Sequence, residues 1–292
     1  MRLGFLFRAV VLSAWACAVA HGGASVSREN LAKAEELYLH TDYEGSVALL
    51  DRHSNDAATL FLLGRDYFMM GDFKRATDLL QKAAAVEPHN SEYADWVGKA
   101  FGKRAETSSP LTALGMASKA RQWFELSVNL DPANKDALAD LFDYYLEAPG
   151  FLGGGYDKAY AVAEKMAIVD PPEAYFAKAK LDQKRKEYSS AEQHLRESIA
   201  AAPHQIGHMI ALAKFLANQG RTRESDEVFL AAQKDDPNAA RLWFARADVL
   251  IRQKRNLQEA RELLKKYVNA PTTVDDPPKQ EALRLLKQVG GA

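Results

Sequence analysis

Apolar positions in this chain recur at helical spacing, in paired blocks. Leu60, Leu63, Gly64 and Tyr67 stand at i, i+3, i+4 and i+7 and so share one face of a helix. Gly71-Asp72 breaks that helix. Phe73, Ala76, Leu80 and Ala83 form the inner face of a second helix, which Pro88-His89-Asn90 ends. Gly64 and Ala76 are small where the two helices would cross, which lets the backbones approach closely. The stretch from Ala57 to Asn90 therefore predicts a helical hairpin.

The hairpin repeats. Pro88, Pro132, Pro171, Pro203, Pro237 and Pro271 follow one another at steps of 44, 39, 32, 34 and 34 residues. Eleven or twelve residues before each proline sits a small residue: Ala76, Ala120, Ala159, Ala191, Ser225 and Ala260. A period near 34, with a small residue in mid-unit and a proline at its end, predicts a stack of hairpins sharing one elongated core.

On these residues the chain resembles the tetratricopeptide repeat (TPR) family. Leu60, Leu63-Gly64, Tyr67, Ala76, Leu80, Ala83 and Pro88 fill the family's motif positions in order. Met209, Leu212-Ala213, Leu216, Ser225, Phe229, Ala232 and Pro237 do the same, as do Trp243, Ala247, Leu250, Ala260, Leu264 and Pro271. Weaker units start at Ala34 and Tyr175. The resemblance implies an all-α solenoid over residues 27–289, with about seven hairpins in a right-handed superhelix. Lys279 to Val289 reads as a capping helix, with Leu283, Leu286 and Val289 inward and Lys279, Glu281, Arg284 and Lys287 outward.

Two units are stretched. The third carries ten extra residues within 103–119, around Ser108-Ser109-Pro110 and Gly115. The fourth carries five, within 147–156. Both are expected as insertions between the helices of adjacent hairpins, emerging side by side on one edge.

The first twenty residues read as a signal peptide rather than as part of the fold. Arg2 and Arg8 make a basic start, Ala9 to Ala20 is apolar, and Ala18-Val19-Ala20 fits a signal-peptidase site. An exported, periplasmic or secreted protein is the expectation. Lipid anchoring through Cys17 fits less well, because Ala14-Trp15-Ala16 precedes it. Cleavage after Ala20 would leave no thiol for disulfides, thiolate metal sites or nucleophilic catalysis. The net charge of −1 gives no basic excess for nucleic-acid binding, and no later segment is apolar enough to enter a membrane.

Little else carries chemistry. Gly150 to Lys158 holds four glycines and a lysine before a helix, but it lacks the Gly-Lys-Ser/Thr of a phosphate loop and no strand precedes it. It reads as a hairpin connection that needs positive φ. Phe151, Leu152 and Tyr156 on this loop would either dock a partner or fold back onto the neighbouring insertion. His204 and His208 have zinc-helix spacing but no third ligand nearby, so no metal is assigned. No catalytic motif is present, and neither an enzyme activity nor a cofactor is expected.

In the family the first helix of each hairpin lines a concave groove. The resemblance carries this role to Phe61, Arg65, Phe68, Lys99, Lys103, Phe176, Lys180, Lys184, Lys214, Phe244 and Arg252, with Asp95, Asp143, Ile210 and Asp248 among them. Cations and aromatics so placed would grip an extended peptide with acidic groups. The paired asparagines of the family's carboxylate clamp are missing. The expected role is a non-enzymatic protein- or peptide-binding scaffold or assembly factor in the cell envelope. The alternatives are a periplasmic small-ligand or metal binder, or a non-catalytic subunit of an envelope enzyme complex.

Overall fold

The computed structural model of the chain describes residues 28–274 and 276–290. The expected leader and Cys17 lie outside them. Among the described residues there are fifteen α-helices and no strand. The helices pair as hairpins. Helix α1 covers residues 28–39 and pairs with α2, Tyr43–Leu49. The second hairpin joins α3 (Ala57–Met69) to α4 (Phe73–Val86), and the third joins α5 (Ser91–Thr107) to α6 (Pro110–Leu130). The fourth has α7 (Lys135–Glu147), a single 3-10 turn (Gly150–Leu152) and α8 (Tyr156–Val169). The remaining pairs are α9 (Pro171–Arg185) with α10 (Tyr188–Ala201), α11 (Ile206–Asn218) with α12 (Thr222–Asp235), and α13 (Ala240–Arg252) with α14 (Leu257–Asn269). Helix α15, Lys279–Val289, covers the end of the stack.

The proline ladder has a local physical cause. A proline cannot continue the preceding helix, and an Asn two residues later caps the next one. Asn90 Oδ1 accepts from Tyr93 N at 3.1 Å, and Asn134 Oδ1 accepts from Ala137 N at 3.0 Å. Asp170 caps α9 directly, with Pro171 in the first turn. The small mid-unit residues Ala76, Ala120, Ala159, Ala191, Ser225 and Ala260 are all fully buried where the paired helices cross. Buried polar groups are satisfied between repeats. Asn134 Nδ2 donates to Ser91 Oγ at 2.8 Å, and Ser127 Oγ donates to Ser91 O at 2.7 Å, tying three successive helices at one corner.

The third hairpin corrects one expectation. Its extra residues form no loop. They lengthen the helices, so that α5 has 17 residues and α6 has 21, against 13 and 14 in α3 and α4. Pro110 stands in the first turn of α6, where its missing N–H costs nothing, with Ser109 before it. Only Ser108 and Ser109 turn the chain. The third hairpin therefore overhangs the fourth. The extra residues of the fourth are a true connection, and they lie against α6: a Cβ on Gly153 would come within 3.0 Å of Arg121 Cδ.

The two ends of the stack meet. Val274, between α14 and α15, packs against an apolar cluster of the first two hairpins that includes Tyr38, Val47, Leu62 and Leu63. A cavity of ≈ 640 Å³ beside this contact lies between Thr41–Glu44, Met69–Met70 and residues 272–274 and 276–280.

Candidate partner-binding site

The first helices of successive hairpins lie side by side, which brings the sequence-assigned groove residues onto one face. Their environment there differs from the expectation in two ways. Phe61 and Phe244 are not groove surface: 7% and 9% exposed, they are buried by aromatic neighbours. Phe61 stacks on Tyr93 at 4.4 Å between ring centres, and Phe244 lies 5.3 Å from Tyr267. Phe68 and Phe176 are half-buried, the first edge-on to Trp96 and the second beside His208.

The cations, in turn, are mostly paired with carboxylates of the same face. Lys99 lies 2.8 Å from Asp95 and 3.0 Å from Asp140 of the next first helix. Lys180 pairs with Asp143, and Lys184 with Glu147 at 2.6 Å, joining α9 to α7. Lys214 reaches Asp248 at 3.6 Å, and Arg252 approaches the same carboxylate at 2.8 Å. Lys103 pairs with Glu106 within α5 at 2.8 Å. The Arg65 guanidinium lies 4.1 Å from the Tyr38 ring centre and 5.1 Å from that of Trp96. The face is therefore stitched across repeats by its own ion pairs. Ile210 lies half-buried on the same row.

Charge is concentrated around Lys99. Asp95 is buried, and one of its carboxylate oxygens has no hydrogen-bond partner. Burial, then the neighbouring charge of Asp140, pushes the Asp95 carboxyl up to about 7, and burial raises Asp140 as well. Burial opposes the Lys99 charge, but the two carboxylates outweigh it and hold the ammonium above its ordinary value.

Beside this cluster the overhang leaves a cleft of ≈ 540 Å³. Its apolar lining comes from Phe68, Ala117, Ala120, Phe124 and Leu152. Gly102 on α5 forms part of the wall, and a Cβ there would meet nothing within 4 Å. Four carboxylates line the cleft, Glu106, Asp140, Asp143 and Glu147, against two lysines, Lys99 and Lys103. Tyr144 and Tyr145 fasten its α7 side: Tyr144 donates to Leu152 O at 3.0 Å, and Tyr145 donates to Glu125 on α6 at 2.7 Å. Sequence reasoning missed this site, because it arises from the unequal lengths of two hairpins. The 44-residue proline step was its one trace.

The glycine loop does not present an anion cradle. The N–H groups of Gly153, Gly154 and Gly155 donate to Gly150 O, Pro149 O and Tyr145 O, at 2.9, 3.2 and 2.8 Å. Lys158 donates to Gly153 O at 2.8 Å. Gly153 and Gly155 have φ of 87° and 148°, and a Cβ on Gly154 would collide with Ala148 O. Phe151 is 78% exposed, Leu152 turns into the cleft, and the Tyr156 ring lies 5.6 Å from the Arg185 guanidinium. His204 and His208 do not converge. The first meets Asp235 at 2.9 Å, and the second is buried against Glu173 at 3.0 Å. Among the described residues no group of three or more His, Cys, Asp or Glu side chains is arranged to hold a metal, and no helix is long and apolar enough to cross a membrane.

Comparison with solved structures agrees with the hairpin geometry. A tetratricopeptide repeat protein from Parabacteroides merdae superposes with a TM-score of 0.59 at 17% identity, over 91% of this chain and 100% of that one. A thermophilic TPR protein from Thermus thermophilus gives 0.55 at 18% identity, over 65% of this chain and 98% of that one. The chain has the tetratricopeptide-repeat fold. No protein-family model matches it, and neither does any curated protein. Within the TPR fold, the unequal third and fourth repeats shape this cleft.

Proposed function

We propose that this TPR protein is a non-enzymatic scaffold that holds a segment of another protein on the face made by its first helices. The observation that carries this reading is the cleft beneath the third hairpin: an apolar-walled recess with a charged rim, on a face where Lys180, Lys184 and Lys214 pair with carboxylates of neighbouring first helices. Its volume is within the range of about 300–1,000 Å³ typical of ligand sites. Assignment to the cell envelope rests on the leader-like first twenty residues alone.

Site-specific photo-crosslinking in cells tests the reading. A photoreactive residue would replace Lys103 at the cleft or Arg223 on α12, which is 92% exposed on a second helix. A discrete protein adduct from the first position and not the second is expected. Equal labelling from both positions, or no adduct from the cleft, would overturn the proposal.

A further inference from the structure

We infer that the cleft under the third hairpin takes an apolar side chain from a basic segment of its partner, an amphipathic helix in which Phe or Leu is flanked by Lys or Arg. The inference rests on the scaffold reading and adds the chemistry of the occupant. It reverses the polarity that the first-helix lysines suggest in the sequence.

The interior of the cleft sets the first half of the match. Phe68, Ala117 and Leu152, with the edge of the largely buried Phe124, offer an apolar surface that water covers only at a cost. The overhanging end of α5 has no counterpart in the shorter fourth hairpin, and Gly102 leaves its wall without a side chain. Gly98, one turn earlier, is glycine for packing: a Cβ there would stand 2.6 Å from Phe124 Cδ1. Gly102 has no such neighbour. Glycine within a helix costs about 1 kcal/mol relative to alanine, and here the absent side chain keeps the recess open.

The rim sets the second half. Its carboxylates outnumber its lysines, and those on α7 form a stripe at Asp140, Asp143 and Glu147. Lys99 is held beneath Asp95 and Asp140, and Lys103 is held by Glu106. An acidic segment would add negative charge to a rim whose carboxylates already outnumber its lysines. A basic segment meets Asp143 and Glu147, whose side chains are 50% and 59% exposed. Their present partners, Lys180 and Lys184, also reach solvent. Exposed pairs of this kind contribute only about 0–1 kcal/mol, so an incoming Lys or Arg exchanges for them at little cost.

The experiment is fluorescence anisotropy with the full chain and two labelled probes. One is a short helical peptide of Leu, Phe and Lys, and the other carries Glu for every Lys. The basic probe should bind at least about tenfold more tightly than the acidic one. Gly102→Leu, whose Cβ meets no existing atom and whose side chain would enter the recess, should weaken the basic probe about tenfold while the protein melts no lower than wild type. Asp143→Asn with Glu147→Gln should weaken the same probe and flatten its salt dependence. Three results would overturn the inference: no binding of the basic probe, equal or tighter binding of the acidic one, or unchanged affinity in Gly102→Leu. Any of these beside a cleft-specific crosslink from Lys103 would leave the scaffold reading standing and remove only the basic occupant.

Discussion

A Cβ on Gly64 would stand 2.6 Å from Cγ of Leu80, where α3 crosses α4. Leu80 is fully buried, so it has no space into which to withdraw. The same relation holds between Gly98 and the Phe124 ring in the next hairpin. Each glycine sets the distance between its two helices. Gly64→Ala and Gly98→Ala should each destabilise the protein by about 1–3 kcal/mol, the usual cost of overpacking. Gly102→Ala should instead stabilise by up to about 1 kcal/mol, since only helix propensity changes there. Urea denaturation of the three variants checks the contrast. A Gly98→Ala variant as stable as wild type would show that the crossing is not close-packed.

The ion pairs on the first-helix face should differ sharply in worth. Asp95 is buried, and Lys99 is the cation that serves both it and Asp140. Removing one partner of a buried pair costs about 3–5 kcal/mol, and protonation of Asp95 would relieve part of that here. Lys99→Met should therefore cost about 2–3 kcal/mol at neutral pH, and less in acid. Lys184→Ala, which breaks a pair whose two ends are about half exposed, should cost under about 1 kcal/mol. Equal losses in the two variants would contradict this ordering.

The hairpin stack is legible in the sequence because each boundary has a strong local cause. Proline stops one helix, Asn or Asp starts the next, and small residues at the crossing recur with the period. Two things are not legible. Pro110 reads as a loop residue, yet proline is equally at home in the first turn of a helix, and nothing local distinguishes the two. The groove lysines fall on the correct helices, but the sequence does not name their partners. The carboxylates that hold Lys180, Lys184 and Lys214 lie about one repeat away, as Asp143 lies 37 residues before Lys180. Likewise, the positions of Phe61 and Phe244 in their helices carry no sign that Tyr93 and Tyr267 would bury them. Period and capping are local, whereas ion pairing and burial between repeats depend on register.

Asp66 makes stability depend on pH. It is fully buried on α3, accepts from Ser46 Oγ at 2.8 Å, and has one oxygen without a partner. Burial raises its carboxyl from 3.8 to about 7, against the hydrogen bond from Ser46 and the charge of Arg65. Tyr38 and Tyr43 also face this region, both shifted upward by burial first. Between those two carboxyl values the folded protein holds a proton that the unfolded chain has released. The contribution of Asp66 to stability is therefore full below about pH 4 and falls as pH rises toward 7, by at most about 1.4 kcal/mol for each pH step of one. Asp95 acts in the same direction. In Asp66→Asn the decline between pH 4 and pH 7 should be shallower, and thermal melts across that range measure it. An unchanged slope would mean that Asp66 is ionised in the fold.

The contact between the two ends should fix the overall dimensions of the stack. Val274 packs against residues of the first two hairpins from the segment joining α14 to α15. Tyr267 holds that segment by donating to Pro277 O. Repeat stacks bend easily, because each repeat touches only its neighbours and small rotations accumulate. A contact between the first and last units removes that freedom. Val274 is half-buried, so its contact is worth less than the about 1.5–3 kcal/mol of a fully buried valine, and a charged residue in its place would oppose the contact. Val274→Asp should leave the helical content unchanged by circular dichroism and increase the radius of gyration in small-angle X-ray scattering. It should also speed amide exchange in α1 and α2 while sparing the central hairpins. An unaltered radius with unaltered exchange would show that stacking alone holds the ends together.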